Sequence, residues 1–175
     1  LWGRAELLDS MPPFLGGGGM ILDVRTDRFL PAEAPRRFEA GTPPIAEAVG
    51  LSAAVAYLSA IGMERVRAHE MALTRYALDA LHDGLGDACR VFGPPAGVDR
   101  GGVLSIALGD IHAHDLAQVL DQFGVCVRPG HHCAKPLMRK LGVPATARAS
   151  LALYNDEHDV DVLIEGLVEA GRLFG

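Results

Sequence analysis

The sequence predicts an α/β fold in which a small sheet is covered by helices. From Cys89 onward, short apolar runs alternate with segments whose apolar residues recur at helical spacing. Upstream, residues 45–83 carry two longer helical patterns. The composition, 49% hydrophobic and 6% aromatic, suits an ordinary α/β protein. At 175 residues the chain can bury one substantial core, or one small domain plus part of another.

Leu1-Trp2-Gly3 reads as the tail of a strand running into a helix at Arg4 to Asp9. Met11-Pro-Pro-Phe-Leu-Gly-Gly-Gly-Gly19 cannot be regular helix, because Pro and Gly both penalise one. Its four glycines either let a ligand or a neighbouring chain approach the backbone closely, or form a flexible linker. Met20 to Val24 reads as a strand, Arg25 to Arg28 as a turn, and a return strand is expected near Phe29. Arg36 to Glu39 reads as a short extended piece before Gly41-Thr-Pro-Pro44.

From Ile45, apolar residues occupy much of the circumference of a predicted helix that Gly62 ends, and such a helix should be well buried. A second, more amphipathic helix is expected from about Met63 to Asp83, with a domain boundary near it. Cys89–Phe92 and Val103–Leu108 read as strands separated by a Gly/Pro loop. His114 to Phe123 reads as a helix with Leu116, Val119, Leu120 and Phe123 toward a core. Strands are expected at Val125–Arg128 and Arg148–Tyr154, with a short helix at Leu137–Leu141. Asp156 to Leu173 closes the chain as an amphipathic helix, with Val160, Leu163, Ile164, Leu167, Val168 and Leu173 as candidate core contacts.

A net charge of −6 argues against a generic nucleic-acid surface, which needs a basic face. No apolar run reaches the length that spans a bilayer, and no signal peptide is seen, so no membrane partner is expected. Three cysteines, Cys89, Cys126 and Cys133, do not make a disulfide framework, and a reducing cytoplasm is the expected location. The chain opens at Leu1 within apparent structure, which reads as a piece of a longer protein.

The chemistry concentrates in Arg128-Pro-Gly-His-His-Cys-Ala-Lys-Pro136, a Gly/Pro-punctuated loop that carries Cys133. Irregular connections are where scaffolds commonly mount reactive groups. His131, His132, Arg128 and Lys135 could each favour a thiolate, the nucleophilic form of cysteine. Cys89 and Cys126, in apolar strands, read as small buried hydrophobes. Zinc is set aside, although His112, His114, His131, His132 and Cys133 are ligand types, because adjacent histidines rarely reach one ion and no Cys-x-x-Cys supports them. Arg148 opens the run Ala149-Ser-Leu-Ala-Leu153 and serves either as a solvated strand end or as a fork for a carboxylate; local alternation leaves both open.

Arg128 to Pro136, followed by Thr146-Ala-Arg-Ala-Ser-Leu-Ala-Leu-Tyr-Asn155, resembles the SufS-type (group II) cysteine desulfurases of the class V aminotransferase family. Met11 to Ile21 and Arg37-Phe-Glu-Ala-Gly-Thr-Pro43 resemble further blocks of that family, in the same order. The resemblance departs at Pro129, where members often carry Thr or Ser, and at Pro44, where they often carry Asn.

The resemblance implies the C-terminal part of a fold-type I transferase dependent on pyridoxal 5′-phosphate (PLP). Residues 1–62 would be the remnant of the large PLP-binding domain, and residues 63–175 the small α/β domain, a mostly antiparallel sheet covered by helices. The implied reaction takes sulfur from L-cysteine, leaves L-alanine, and forms a persulfide on Cys133 for iron–sulfur cluster assembly. Arg148 and Arg128 would bind the substrate, while Thr42 and Gly16 would reach the cofactor phosphate of the partner subunit in a homodimer. A SufE- or SufU-type protein would accept the sulfur.

The Schiff-base lysine of the family is not expected in this chain, since Lys135 and Lys140 stand in other contexts. The chain alone is therefore expected to be inactive, with apolar surface around residues 45–61 left uncovered. Selenocysteine lyase, cysteine sulfinate desulfinase and a non-catalytic sulfur carrier are the alternative readings.

Overall fold

The computed structural model describes residues 2–95 and 97–174. The chain divides into two compact units, Leu1–Ala60 and Ile61–Gly175.

The first unit is built around a two-stranded ribbon. Helix α1 (Ala5–Ser10) leads to the glycine run, and β1 (Ile21–Val24) pairs antiparallel with β2 (Phe29–Pro31). The Arg25 N–H donates to Arg28 O across the connecting turn at 2.8 Å. At the ribbon's base the Ala32 N–H donates to Met20 O, and both residues are buried. No strand forms at Trp2 and Gly3, and Leu1 lies outside the described residues.

Arg36–Phe38 is a 3-10 turn, not the extended piece its sequence suggested. Pro35 adopts a right-handed helical conformation, and the N–H groups of Arg37, Phe38 and Glu39 bond back to Glu33, Pro35 and Arg36. That turn aims the Arg37 guanidinium at four backbone carbonyls, those of Ala32, Leu8, Asp9 and Met11. One side chain thus ties the end of α1 to the segment that follows β2.

Helix α2 (Ile45–Ile61) forms as predicted, but none of its residues is buried. Val49 and Leu51 are each about two-thirds exposed, at 66% and 67%. Its apolar residues lie all around the axis, so no single stripe meets a core within the unit.

The second unit is a four-stranded antiparallel sheet of order β3-β4-β6-β5. Its strands are β3 (Cys89–Phe92), β4 (Val103–Leu108), β5 (Arg128–Gly130) and β6 (Thr146–Ser150). Its principal helices are α3 (Met63–Leu85), α4 (Ala113–Gln122) and α6 (Glu157–Phe174), with a short α5 (Lys135–Leu141).

Alternation along the strands sorts the side chains between two faces. Leu104, Ile106 and Leu108 of β4 join Ala147 and Ala149 of β6 in the core, against Leu73, Ala77 and Leu81 of α3, Leu116 and Leu120 of α4, and Val160, Leu163 and Leu167 of α6. The other face carries Phe92, Ser105, Arg148 and Arg128 in one row, because the register pairs Phe92 with Ser105, Ser105 with Arg148, and Arg148 with Arg128. Val168 and Leu173, candidate core contacts by sequence, lie on the exposed side of α6.

Two strands are displaced from their predicted positions. β5 starts at Arg128 because α4 is followed by a turn through Gly124, a left-handed residue with φ 73°, and residues 125–127 stay irregular. Pro129 fits β5 because the strand lies at the sheet's edge, where a missing N–H costs no ladder bond. β6 begins two residues earlier than predicted and stops at Ser150. Beyond it, Asn155 Oδ1 accepts from Ala152 N at 2.9 Å and opens the loop into α6. Asp156 and Asp159 then exchange backbone-to-carboxylate hydrogen bonds in a reciprocal cap. Asn155 and the Asp156 N–H together hold the Asp159 carboxyl below its usual range.

The α4–α6 packing depends on Gly166. A Cβ there would come within 2.7 Å of Leu120 Cδ2, and Leu120 is fully buried and cannot swing aside. Alanine would gain about 1 kcal/mol of helix propensity but incur about 1–3 kcal/mol of overpacking. Gly166→Ala is expected to lower stability by up to a net ~2 kcal/mol, read from the urea midpoint.

Candidate active site

The row of side chains on the open face of the sheet leads to Cys133. β5 ends at Gly130, and the Ala134 N–H donates to His131 O at 2.9 Å, closing a four-residue turn. Its two central residues, His132 and Cys133, both have positive φ, 55° and 59°. Positive φ at both centres is the mark of a type I′ turn, normally filled by Asn and Gly. Placing two ordinary L-residues there costs about 1–3 kcal/mol each.

The turn presents Cys133 to solvent with its Sγ 4.0 Å from Arg128 Nη2, at the outer limit of a hydrogen bond to sulfur. Arg128 stands directly across from Arg148, so two guanidiniums share the face beside the thiol. Arg148 Nε is buried and bonds to no described residue. A fork across from a second cation, without an acidic partner among the described residues, is suited to an incoming anion such as a carboxylate. The structure therefore brings together three of the residues singled out by sequence: Cys133, Arg128 and Arg148.

His132 takes a part that its sequence context did not reveal. Its Nε2 lies 2.9 Å from Thr146 Oγ1 and 3.2 Å from Thr146 O, and Thr146 is wholly buried. A carbonyl oxygen only accepts, so Nε2 carries the proton and donates. Burial pushes the imidazole pKa below its ordinary value; the bond to the Thr146 carbonyl opposes the shift, while Arg148, Arg128 and His131 add to it. His132 is therefore neutral at neutral pH and does not supply the positive charge that its neighbourhood to Cys133 suggested. Thr146 was legible in principle: strand alternation places it on the same face as Arg148.

This shift carries a pH dependence. A depressed imidazole pKa means that the unfolded chain binds more protons, so stability falls as pH drops below about 6.5, the free imidazole value, and levels off below the folded value. Comparing thermal midpoints of wild type and His132→Gln from about pH 8 to about pH 5 should show a steeper acid loss in wild type.

Thr42 and Gly16 belong to the first unit, and both are exposed. The Gly41 N–H donates to Gly18 O at 2.8 Å, which joins the glycine run to the segment before Thr42. A Cβ on Gly17 would stand 3.3 Å from Ala40 Cβ, whereas one on Gly18 would meet nothing within 4 Å. The run is thus closely packed on one side and bare on the other.

The two remaining thiols differ from each other. Cys89 is half-buried and its thiol pKa is pushed up to about 11 by burial, which fits the expected inert residue. Cys126 is exposed, contrary to the sequence reading, because residues 125–127 do not join the sheet. Lys135 and Lys140 are exposed on α5. Among the described residues no group of three His, Cys, Asp or Glu side chains is placed to hold a metal ion, and no single helix is long and apolar enough to cross a membrane.

Comparison with known proteins adds independent findings. The family described as aminotransferase class-V matches residues 1–163. A probable cysteine desulfurase of Streptomyces coelicolor is 51% identical over 175 residues, which is 100% of this chain and 41% of that protein. The cysteine desulfurase of Haloferax volcanii is 48% identical over 99% of this chain and 40% of its own length. Among solved structures, the apo cysteine desulfurase of Thermococcus onnurineus superposes with a TM-score of 0.89 at 37% identity, over 98% of this chain and 42% of that one. The cysteine desulfurase CsdA (S-sulfonic acid) of Escherichia coli gives a TM-score of 0.84 at 34% identity, with the same coverage. The chain spans about two-fifths of the length of the relatives it matches.

Proposed function

The chain belongs to the class-V aminotransferase family, and from that premise we propose that it is part of a cysteine desulfurase in which Cys133 receives the sulfur of L-cysteine. Its fold is that of part of a fold-type I, PLP-dependent transferase. The observation that carries the reading is the exposed Cys133 thiol on a left-handed turn, 4.0 Å from Arg128 and beside the cross-strand Arg128–Arg148 pair.

In this reading the Arg148 guanidinium binds the substrate carboxylate and Arg128 sits between that anion and the thiol. Cys133 attacks the substrate sulfur as a thiolate; an S–S bond forms as the C–S bond breaks. The electron pair of the broken bond stays with carbon, which takes up a proton to become the methyl group of L-alanine. Cys133 is left as a persulfide, and atoms and electrons balance.

The donor set of the first unit fits the phosphate of PLP. The bare side of the glycine run offers unobstructed backbone N–H groups, and Thr42 adds a hydroxyl. Gly16 and Thr42 would hold that phosphate, on the cofactor of the partner subunit in a homodimer. When bound, PLP supplies an electron sink for the carbon that loses sulfur. Lys135 and Lys140, the only lysines of the chain, lie exposed on α5, so the cofactor's lysine is assigned to another part of the longer protein. Residues 1–62 are read as large-domain remnant and 63–175 as the C-terminal small domain. Cytoplasmic iron–sulfur cluster assembly, through a SufE- or SufU-type acceptor, is the expected destination of the sulfur.

The test is a single turnover of the full-length protein with PLP and L-cysteine. It should yield L-alanine and a persulfide mapped to Cys133, while the 175-residue chain alone should yield neither. Alanine production by the isolated chain would refute this division of labour. Sulfur recovered on another cysteine would refute the assignment of Cys133.

A further inference from the structure

We propose that His132 is a positioning residue that holds the His131–Ala134 turn left-handed and thereby fixes the Cys133 thiol beside Arg128; the inference rests on the reading of Cys133 as the sulfur acceptor. Two consecutive L-residues at φ 55° and 59° do not hold that conformation by local preference, so surrounding structure must impose it. The turn's own hydrogen bond, from Ala134 N to His131 O, would serve a right-handed turn equally well.

The side chain of His132 breaks that degeneracy. It reaches across the end of the sheet to Thr146 O and Oγ1, at 3.2 and 2.9 Å. Thr146 is fully buried and pairs in register with Gly130, the residue from which the chain enters the turn. The anchor is therefore rigid and placed at the base of the turn, two residues from Arg148 on the same strand face. Turning residues 132 and 133 to negative φ would rotate the imidazole off Thr146 and swing the thiol away from Arg128.

The ring's protonation state suits the task. A neutral imidazole donates from Nε2 without adding a third positive charge beside Arg128 and Arg148, and His131 is the other titratable group acting on it. Nδ1 is buried with no hydrogen-bond partner among the described residues, where His132 is held through Nε2.

The experiment uses the full-length PLP-loaded protein and compares wild type with His132→Ala, His132→Gln and Thr146→Val. A carboxamide N–H can replace the Nε2 donor, so His132→Gln should retain most of the activity. Misplacing a reacting atom by about 1 Å costs on the order of a hundredfold, so His132→Ala should slow persulfide formation by about that factor. The KM for L-cysteine and the PLP absorbance should stay unchanged, since the arginines and the cofactor site are untouched. Thr146→Val, which removes only the hydroxyl, should fall between the two and serves as the test if His132→Ala does not fold.

A wild-type rate of persulfide formation in His132→Ala would overturn the proposal. So would a loss that Gln does not restore, or one matched by equal changes in KM. Failure of the underlying reading would look different: wild-type protein would place its sulfur elsewhere than on Cys133.

Discussion

Cys133→Ser in the full-length protein should lose persulfide formation entirely, and its alanine production should fall by at least about 10³-fold, the scale on which removal of a nucleophile registers. Serine is close to isosteric with cysteine, and residue 133 is exposed, so no core contact is lost. A residue at φ 59° has the same backbone requirement whether it ends in sulfur or oxygen. The chemistry changes far more than the packing does. A serine hydroxyl has no base within the turn to ionise it: the adjacent imidazole is turned to Thr146 through Nε2, and its basic nitrogen, Nδ1, is buried with no hydrogen-bond partner among the described residues.

PLP absorbance and the thermal midpoint should therefore match wild type while sulfur transfer stops. Retained transfer to an acceptor would remove Cys133 from the mechanism. Loss of cofactor absorbance would mean that the turn supports the PLP site, in contradiction of its proposed role.

Much of this arrangement was legible in the sequence, and the part that was not has a physical cause. The strands Cys89–Phe92 and Val103–Leu108 match the predicted positions because a single helix-covered face leaves an unambiguous apolar pattern. The Cys133 loop declared itself by its Gly, Pro, His and Cys content. Pairing was hidden: nothing local states that β6 inserts between β4 and β5, and that insertion alone sets Arg128 across from Arg148.

The misplaced start of β5 follows from the same limit. Val125 and Val127 have strand propensity, but edge position and the left-handed Gly124 decide where pairing begins, and Cys126 becomes exposed as a result. The burial expected for α2 failed for a related reason. An apolar helix needs a partner surface, and none of its residues is covered within its own unit.

Arg148→Ala should raise the KM for L-cysteine about ten- to hundredfold, the equivalent of one charge-assisted hydrogen-bonded pair of about 1.5–3 kcal/mol. The side chain sits mid-row on the open face, between Ser105 and Arg128, and its buried Nε has no hydrogen-bond acceptor among the described residues. Truncation therefore breaks no salt bridge among the described residues; it relieves repulsion with Arg128, and stability should stay level or rise slightly. Arg148→Lys should give an intermediate KM, because an ammonium keeps the charge but not the two-pronged geometry. An unchanged KM in Arg148→Ala would contradict carboxylate binding at this position.

The same variant has a second, independent readout. Arg148 is one of the charges that depress the His132 pKa, so its removal should move that value upward; the acid loss of stability should still begin near the free imidazole value but level off at higher pH and be smaller. With His132→Gln, the acid loss should be the same whether residue 148 is Arg or Ala. If the acid loss of stability in Arg148→Ala is as large as in wild type, the two side chains are not electrostatically coupled across the open face, and the turn is held without reference to the substrate's anchor.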